Sequence, residues 1–469
     1  MKPTLKYLSD QEIRLIHESA LKILNTIGIK MPHEEALELW RKAGAQVDGD
    51  VVKIPERLVE RALETTPKRD QVTLYGLDPK HDITFHTHEP RAVAMCMAVS
   101  VLDLETGEHR SATMEDLVRQ TWLLEQLPNM EINGGLITPQ DVPGQFNDWY
   151  TWAGTIKNTT KHITGGMYGA QCVRDAAAMG ALAAGGTDNF KKRPHLSGWV
   201  LTLPTLGNDY AGLDALMEMA RQNIVVILSS GPMMGASSPM SLAGSVAQAH
   251  AEMLAGITLM QLVNPGAPVV YTSFIRSMNM KTMAVCMASP ESGMMRGAMA
   301  EMGHFLKLPV RMPGLLRDSK LVDAQAGFET ALTGLPLAYN CDLMDAGQLD
   351  SDLLVDYADP VFINEAMYAI KRSVRELVVN EKTINLDHIA AVGPGGSFLT
   401  TNETVRNFRR EVWHSTLFEQ GTREVWVKQG SRDIRERALI QARRILAERQ
   451  GHLLPPDICR RIDDLVPTS

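Results

Sequence analysis

The chain is short of aromatic residues, short of cysteine and without a strong excess of either charge. Each shortage excludes something. A formal net charge of -8 over 469 residues, with no basic stripe, argues against a general nucleic-acid surface. The five cysteines, Cys96, Cys172, Cys286, Cys341 and Cys459, are far apart and odd in number. They read as free buried thiols of a reducing cytoplasm, not as a disulfide framework. No pair has the close spacing of a zinc site, so no metal is expected. No run of about 18 apolar residues occurs, and the first twenty residues lack a signal-peptide core. A cytoplasmic protein with no membrane span is expected. There is no HExxH, no GxSxG elbow, no dinucleotide fingerprint and no P-loop. His162 and His250 read as satisfied interior or surface residues. Aromatic residues are only 6% of the chain, so the place of each one carries weight.

What is there is a repeating alternation. From Ile224 an apolar strand runs into a Gly/Pro/Met loop, Ser229 to Met234. A long Ala-rich helix follows, then a Pro-Gly turn, then a second apolar strand through Tyr271. That is one β-loop-α-β unit, and in parallel α/β proteins the loop after the strand is where ligands bind. Apolar runs recur at 92–103, 130–138, 162–168, 195–203, 224–232, 268–274, 308–316, 337–347 and 387–396. Helical segments fill many of the gaps. About eight such units over roughly 300 residues predict a closed (β/α)8 TIM barrel, with an open doubly wound sheet as the alternative. Which eight of the nine runs form the barrel stays open. The expected division is a helical cap with a small hairpin over 1–88, the barrel over 89–415, and a helical tail packed on it over 416–469. Most of the 26 methionines read as core filler.

Candidate site residues sit where strands end. Trp199, Tyr271, Phe274 and Phe398 lie in or just beyond strand-like runs, and two or three together would hold a quaternary ammonium by cation–π contact. Arg311, Asp318 and Lys320 belong to a charged loop after an apolar strand, and Asp323 reads as the N-cap of the next helix. Asp342 places a carboxylate within an apolar run, where it needs a partner. Gly-rich turns recur at Gly134-Gly135, Gly165-Gly166 and Gly393 to Gly396. The last could cradle a phosphate at a helix N-terminus, although a close-packed strand-to-helix turn is the plainer reading.

Over nearly its whole length the chain resembles the trimethylamine methyltransferase superfamily. The resemblance is carried by SPMSLAGSVAQAHAEMLAGITLMQLVNPGAPVVY (238–271), DSKLVDAQAGFE (318–329) and VGPGGSFLTTNETVRNFRREVW (392–413). It implies a (β/α)8 barrel and methyl transfer from a methylated amine to the Co(I) centre of a separate corrinoid-binding protein. The trimethylamine-specific branch carries pyrrolysine, and this chain shows only standard residues. It therefore resembles the non-pyrrolysine branch, whose substrates are quaternary amines: glycine betaine first, which would give dimethylglycine, with carnitine or proline betaine as alternatives. Family members often carry His near the positions of Ser397 and Asn402, and this chain does not. The corrinoid is expected on the partner, with none bound tightly here, and the chain is expected to form a homo-oligomer. Gly165, Gly166, Met233, Met234, Gly395 and Gly396 are the expected corrinoid-facing loop residues. A zinc-dependent betaine–homocysteine methyltransferase would need adjacent cysteines, which are missing. A non-catalytic betaine-binding protein stays open, because this chemistry demands no general acid.

Overall fold

The structure is a computed structural model that describes residues 3–95 and 97–467; Cys96 lies outside the described residues. Eight parallel strands close into a barrel. They are β1 (Arg91–Ala94), β2 (Met130–Asn133), β3 (His162–Gly166), β4 (Leu196–Leu201), β5 (Val225–Ser230), β6 (Val269–Ser273), β7 (Val310–Leu315) and β8 (Leu343–Ala346). Each pairs with the next in chain order, and β8 closes on β1 with Asp345 opposite Val93. Helices α1 (Met114–Glu125), α2 (Asn147–Ile156), α3 (Ala170–Ala183), α4 (Tyr210–Gln222), α5 (Leu242–Val263), α6 (Pro290–Phe305), α7 (Ala324–Ala338) and α8 (Ala358–Ser373) follow the strands in turn.

The barrel strands are the first eight apolar runs. The ninth, 387–396, is not a strand: Leu386–Val392 is a short helix. Asn385 turns the chain with φ 54, and the Gly393 N–H closes on the Ile389 carbonyl. A brief apolar run of this length reads alike for strand and helix. Gly393 to Gly396 therefore follow a helix on an exposed segment, not a barrel strand.

α5 shows how the parts lock together. Its sequence is apolar almost all round, which fits a helix covered on every side. Ser245 through Gln261 are buried. β5 and β6 cover one face, and the N-terminal helices Asp10–Thr26, Glu34–Ala43 and Glu56–Thr65 cover the other. The hairpin Thr73–Leu74 with Ile83–Thr84 then enters the barrel from the N-terminal ends of its strands. Val72, Leu74, Ile83 and Phe85 pack there against Val93, Ile132, Val225, Val270 and Leu343. At about 1.5–3 kcal/mol for each fully buried apolar side chain, that end is firmly plugged. Only the C-terminal mouth is left for a ligand. After α8, the helix Ile434–Ala447 returns to pack on α8 and α1. Cys172, Cys341 and Cys459 are buried free thiols, and Cys286 is partly exposed. No helix among the described residues is long and apolar enough to cross a membrane.

Candidate active site

Side chains alternate in and out along each strand, and this parity sorts the interior. On β6, Val270 joins the inner core while Tyr271 joins the outer one. On β8, Leu343 points in and Met344 out, which turns Asp345 inward. Low in the barrel, His162 is held between the Tyr75 carbonyl at 2.8 Å and Ser197 Oγ at 2.9 Å. Burial pushes its pKa down to about 3, so it stays neutral. The barrel's middle is crossed by Arg311. Its Nε donates to Asp345 Oδ1 at 2.6 Å, and its Nη1 donates to Thr164 Oγ1 on the opposite wall at 3.1 Å.

Above this strut lies an apolar cup. Met95, Phe274, Met287 and Leu316 are buried, with Trp199, Leu201 and Val285 packed against them. The Trp199 and Phe274 rings are 5.0 Å apart between centroids, tilted by 44°. Into this apolar setting project polar atoms that no described residue satisfies: Trp199 Nε1, Thr272 Oγ1, Asp345 Oδ2, Gln348 Oε1 and Asp352 Oδ1. They sit on, or directly after, β4, β6 and β8. Buried polar atoms are normally partnered, so their gathering at the mouth marks the place where a ligand or ordered water binds.

Asp352 is the most perturbed of these groups. Its carboxyl is pushed up to about 7 by burial, against the pull of Arg296 and Arg276, with Asp345 and Asp318 adding to the rise. Burial raises Asp345 too, with Arg311 opposing. Arg296 is fully buried, donates to the carbonyls of Ile275, Met287 and Pro313, and is pushed down to about 10 by burial. Arg276 donates through Nη1 to the carbonyls of Gly231 and Phe274 and is partly exposed. Asp350, Ser351 and Asp352 all have positive φ, at 50°, 53° and 80°. Such strain in non-glycine residues persists only where neighbours impose it, and it clusters at working sites. Here the Asp350 N–H donates to the Ser319 carbonyl at 2.8 Å and the Ser351 N–H to the Arg317 carbonyl at 2.9 Å.

The residues expected from sequence are divided by the fold. Trp199 and Phe274 are brought together in the cup, with Arg311 beneath them. Asp318 ties two mouth loops together, accepting from the Met287 and Ala288 N–H groups and from Ser351 Oγ. Lys320 is on the exposed rim, paired with Asp350 at 2.8 Å. Gly165 and Gly166 end β3, and Met233 and Met234 run beside Arg276 in the β5–α5 loop. Tyr271 is not brought to the cup: it faces α5, where its hydroxyl meets His250 Nδ1 at 2.8 Å. Asp342 precedes β8 and so lies at the opposite end of the barrel, bonded to Arg69 and the Val310 N–H. Phe398, Gly395 and Gly396 lie on the exposed segment beyond α8. Asp323 caps α7 by accepting from the Ala326 N–H at 3.0 Å. Sequence reasoning missed Asp345, Asp352, Arg276 and Arg296; the available signal was the acidic run Asp350-Ser351-Asp352 just past an apolar strand. Among the described residues no group of three or more His, Cys, Asp or Glu is placed to hold a metal ion.

A closed parallel barrel whose perturbed carboxylates and aromatic cup meet at the C-terminal mouth defines the chain as a barrel enzyme. Comparison with known proteins narrows the class. The family model for trimethylamine methyltransferase (MTTB) matches residues 1–468, and the chain belongs to that family. It is similar to trimethylamine methyltransferase MttB of Desulfitobacterium hafniense (strain DSM 10664 / DCB-2), 33% identical over 98% of this chain and 92% of that one. It is similar also to glycine betaine methyltransferase of Desulfitobacterium hafniense (strain Y51), 31% identical over 99% and 97%. A third relative is proline betaine:corrinoid methyltransferase of Eubacterium limosum, 29% identical over 98% and 96%. Among solved structures, monomethylamine methyltransferase of Methanosarcina barkeri superposes with a TM-score of 0.54 at 10% identity, over 94% of this chain and 88% of that one. That likeness speaks to the fold alone.

Proposed function

We propose that this methyltransferase moves one N-methyl group of glycine betaine to Co(I) of a separate corrinoid protein and releases dimethylglycine. The corrinoid is a second substrate carried by the partner, and this chain holds none of its own. In the transfer the N–CH3 bond breaks and its electron pair stays on nitrogen, while the electron pair of Co(I) forms the new bond to carbon. A quaternary ammonium leaves as a neutral amine, so no general acid is required of the protein.

The observation that carries this reading is the pairing of an aromatic cup, Trp199 and Phe274, with the unpaired carboxylate oxygens of Asp345 and Asp352. Aromatic faces and carboxylates are the two groups that attract a methylated cation without hydrogen-bonding to it. Arg276, a partly exposed residue on the rim of the cup, takes the betaine carboxylate. Arg311, engaged with Asp345 and Thr164, acts instead as a strut that orients Asp345. The site then holds a zwitterion with its methyl groups toward the mouth, which supplies proximity and orientation.

Tight binding of the cation alone would slow the reaction, because the positive charge is lost in the transition state. Asp352 keeps that binding moderate: its carboxyl, pushed up to about 7 by burial, is only partly ionised near neutral pH and gives up its proton to solvent when the cation binds, at a cost to affinity.

The lack of pyrrolysine favours a quaternary amine over trimethylamine, and the Eubacterium limosum relative makes proline betaine the second candidate. The division into a 1–88 cap, an 89–415 barrel and a 416–469 tail, and a cytoplasmic setting, belong to this proposal. The test is to mix the protein with reduced cob(I)alamin and each of glycine betaine, proline betaine, carnitine and trimethylamine, and to follow the visible spectrum. Conversion to methylcob(III)alamin with glycine betaine supports the proposal. Conversion only with another amine moves the substrate, and none with any amine, even with the cognate corrinoid protein, refutes transfer.

A further inference from the structure

The helix Ile434–Ala447 does not close fully on α1. The Trp122 indole N–H of α1 donates to the Ile445 carbonyl at 3.3 Å and pins the seam between the two helices. Along this seam a cavity of about 440 Å³ remains. It is bounded by α1, by the end of the returning helix through Gly451, and by the turn that holds Leu104 and Glu105. Three guanidinium groups line it, those of Arg119, Arg443 and Arg449. The Arg119 guanidinium lies over the Tyr357 ring, 5.3 Å from its centroid. No described residue accepts a hydrogen bond from that side chain or pairs with its charge. Asp116, on the same helix, is already held by Arg110 and by the Tyr357 hydroxyl. Arg443 donates to the Leu104 carbonyl and stands 3.5 Å from Glu105. Arg449 Nη1 donates to Glu115 at 2.8 Å, while its Nε is buried without a partner. The Glu105 and Glu115 side chains are 67% and 64% exposed, and ion pairs to carboxylates that open to water contribute little. The cavity thus gathers three positive charges, and no buried carboxylate neutralises them.

We infer that this cavity binds a small organic oxyanion, its phosphate or carboxylate head held by the arginines and its apolar body against Leu104, Leu446 and Ala447. Arginine presents its N–H donors in a planar fork that matches both head groups bidentately. Stacking on Tyr357 fixes the plane of the Arg119 guanidinium and leaves the in-plane donors open. The buried Nε of Arg449 gains the acceptor it lacks, since buried polar atoms are normally partnered. Leu104, Leu446 and Ala447 line the same cavity and give it apolar surface. Its volume falls within the roughly 300–1,000 Å³ of small-molecule sites. The cavity lies outside the barrel and shares no residue with the aromatic cup, so the inference does not depend on the proposed methyl transfer.

The test titrates the full chain with inorganic phosphate, phenyl phosphate and benzoate at constant ionic strength. By calorimetry, phenyl phosphate or benzoate is expected to bind about tenfold more tightly than inorganic phosphate, through burial of the ring; the tighter of the two names the head group. Arg119→Gln is expected to weaken that binding by about tenfold, as for hydrogen bonds lost from a charged group. Arg276→Ala, at the barrel mouth, is expected to leave it within twofold. Phenylglyoxal labelling of the wild-type protein, mapped by mass spectrometry, is expected to slow at Arg119, Arg443 and Arg449 when the tighter probe is present, and to be unchanged at Arg174. This readout decides the matter if the variant does not fold. Failure of all three probes to bind overturns the inference, as does inorganic phosphate binding as tightly as both ring compounds. Binding that survives Arg119→Gln but is lost in Arg276→Ala belongs to the mouth and overturns it too. So does labelling of the three arginines that no probe slows.

Discussion

Replacing Asp352 by Asn is the perturbation that separates this account from a generic cation pocket. The carboxyl stands at about 7 in the empty protein because burial opposes its ionisation. Betaine binding by the ionised form then requires that form to be present. About a tenth of the protein is ionised there at pH 6 and about nine tenths at pH 8, so apparent affinity is expected to rise roughly tenfold across that window. The sign follows from the shift: the pKa is raised, the proton competes with the cation, and binding weakens as pH falls. Glycine betaine itself has no group that titrates in this range. Binding at pH 7 should also release close to half a proton, which isothermal titration in two buffers of different ionisation enthalpy reads directly. In the Asp352→Asn variant the pH slope and the proton release should vanish. Affinity at pH 8 should drop by at least about 10-fold, from the ~1.5 kcal/mol or more that a close charge pair contributes. A wild-type dissociation constant flat from pH 6 to 8, or a slope that survives in Asp352→Asn, would refute the role given to this carboxylate.

Other consequences follow from the same geometry. Trp199→Ala should raise KM for betaine by about tenfold or more, and Trp199→Phe by less, as expected for a cation–π contact in a desolvated cup; initial-rate kinetics decide this. Arg276→Ala should raise KM for betaine while leaving binding of tetramethylammonium, which has no carboxylate, within twofold by calorimetry. Arg311→Ala leaves Asp345 as an uncompensated buried charge, so it should cost about 3–5 kcal/mol of stability, visible as an earlier midpoint in urea. Tyr271→Phe removes a hydroxyl that meets His250 outside the barrel. It should lower stability by about 1 kcal/mol and leave KM within twofold.

Much of this architecture was legible in the chain, and for definite reasons. Strands buried on both faces read as unbroken apolar runs, so β5 and β6 stand out, and α5 between them reads as a long Ala-rich helix. The run at 387–396 misled because seven residues of mixed apolar character do not reveal their period. The site was less legible. Trp199 and Phe274 could be singled out because aromatics are rare here and each sits at or near a strand end. Asp345 and Asp352 lie in and after β8, and only the pairing of β8 with β7 in the closed barrel brings them beside Arg311, Arg296 and Arg276. Side-chain parity was an unused signal: with Val270 inside, Tyr271 must face out and Phe274 in. The same count places Asp342 before the strand begins and Asp345 in its inner face.

The most direct test of the central claim is to follow the methyl carbon itself. With glycine betaine labelled with carbon-13 in its N-methyl groups, reduced corrinoid protein and this enzyme, carbon NMR should show one label on cobalt for each dimethylglycine formed. Dimethylglycine without label on cobalt, or label transferred from trimethylamine but not from glycine betaine, would contradict it.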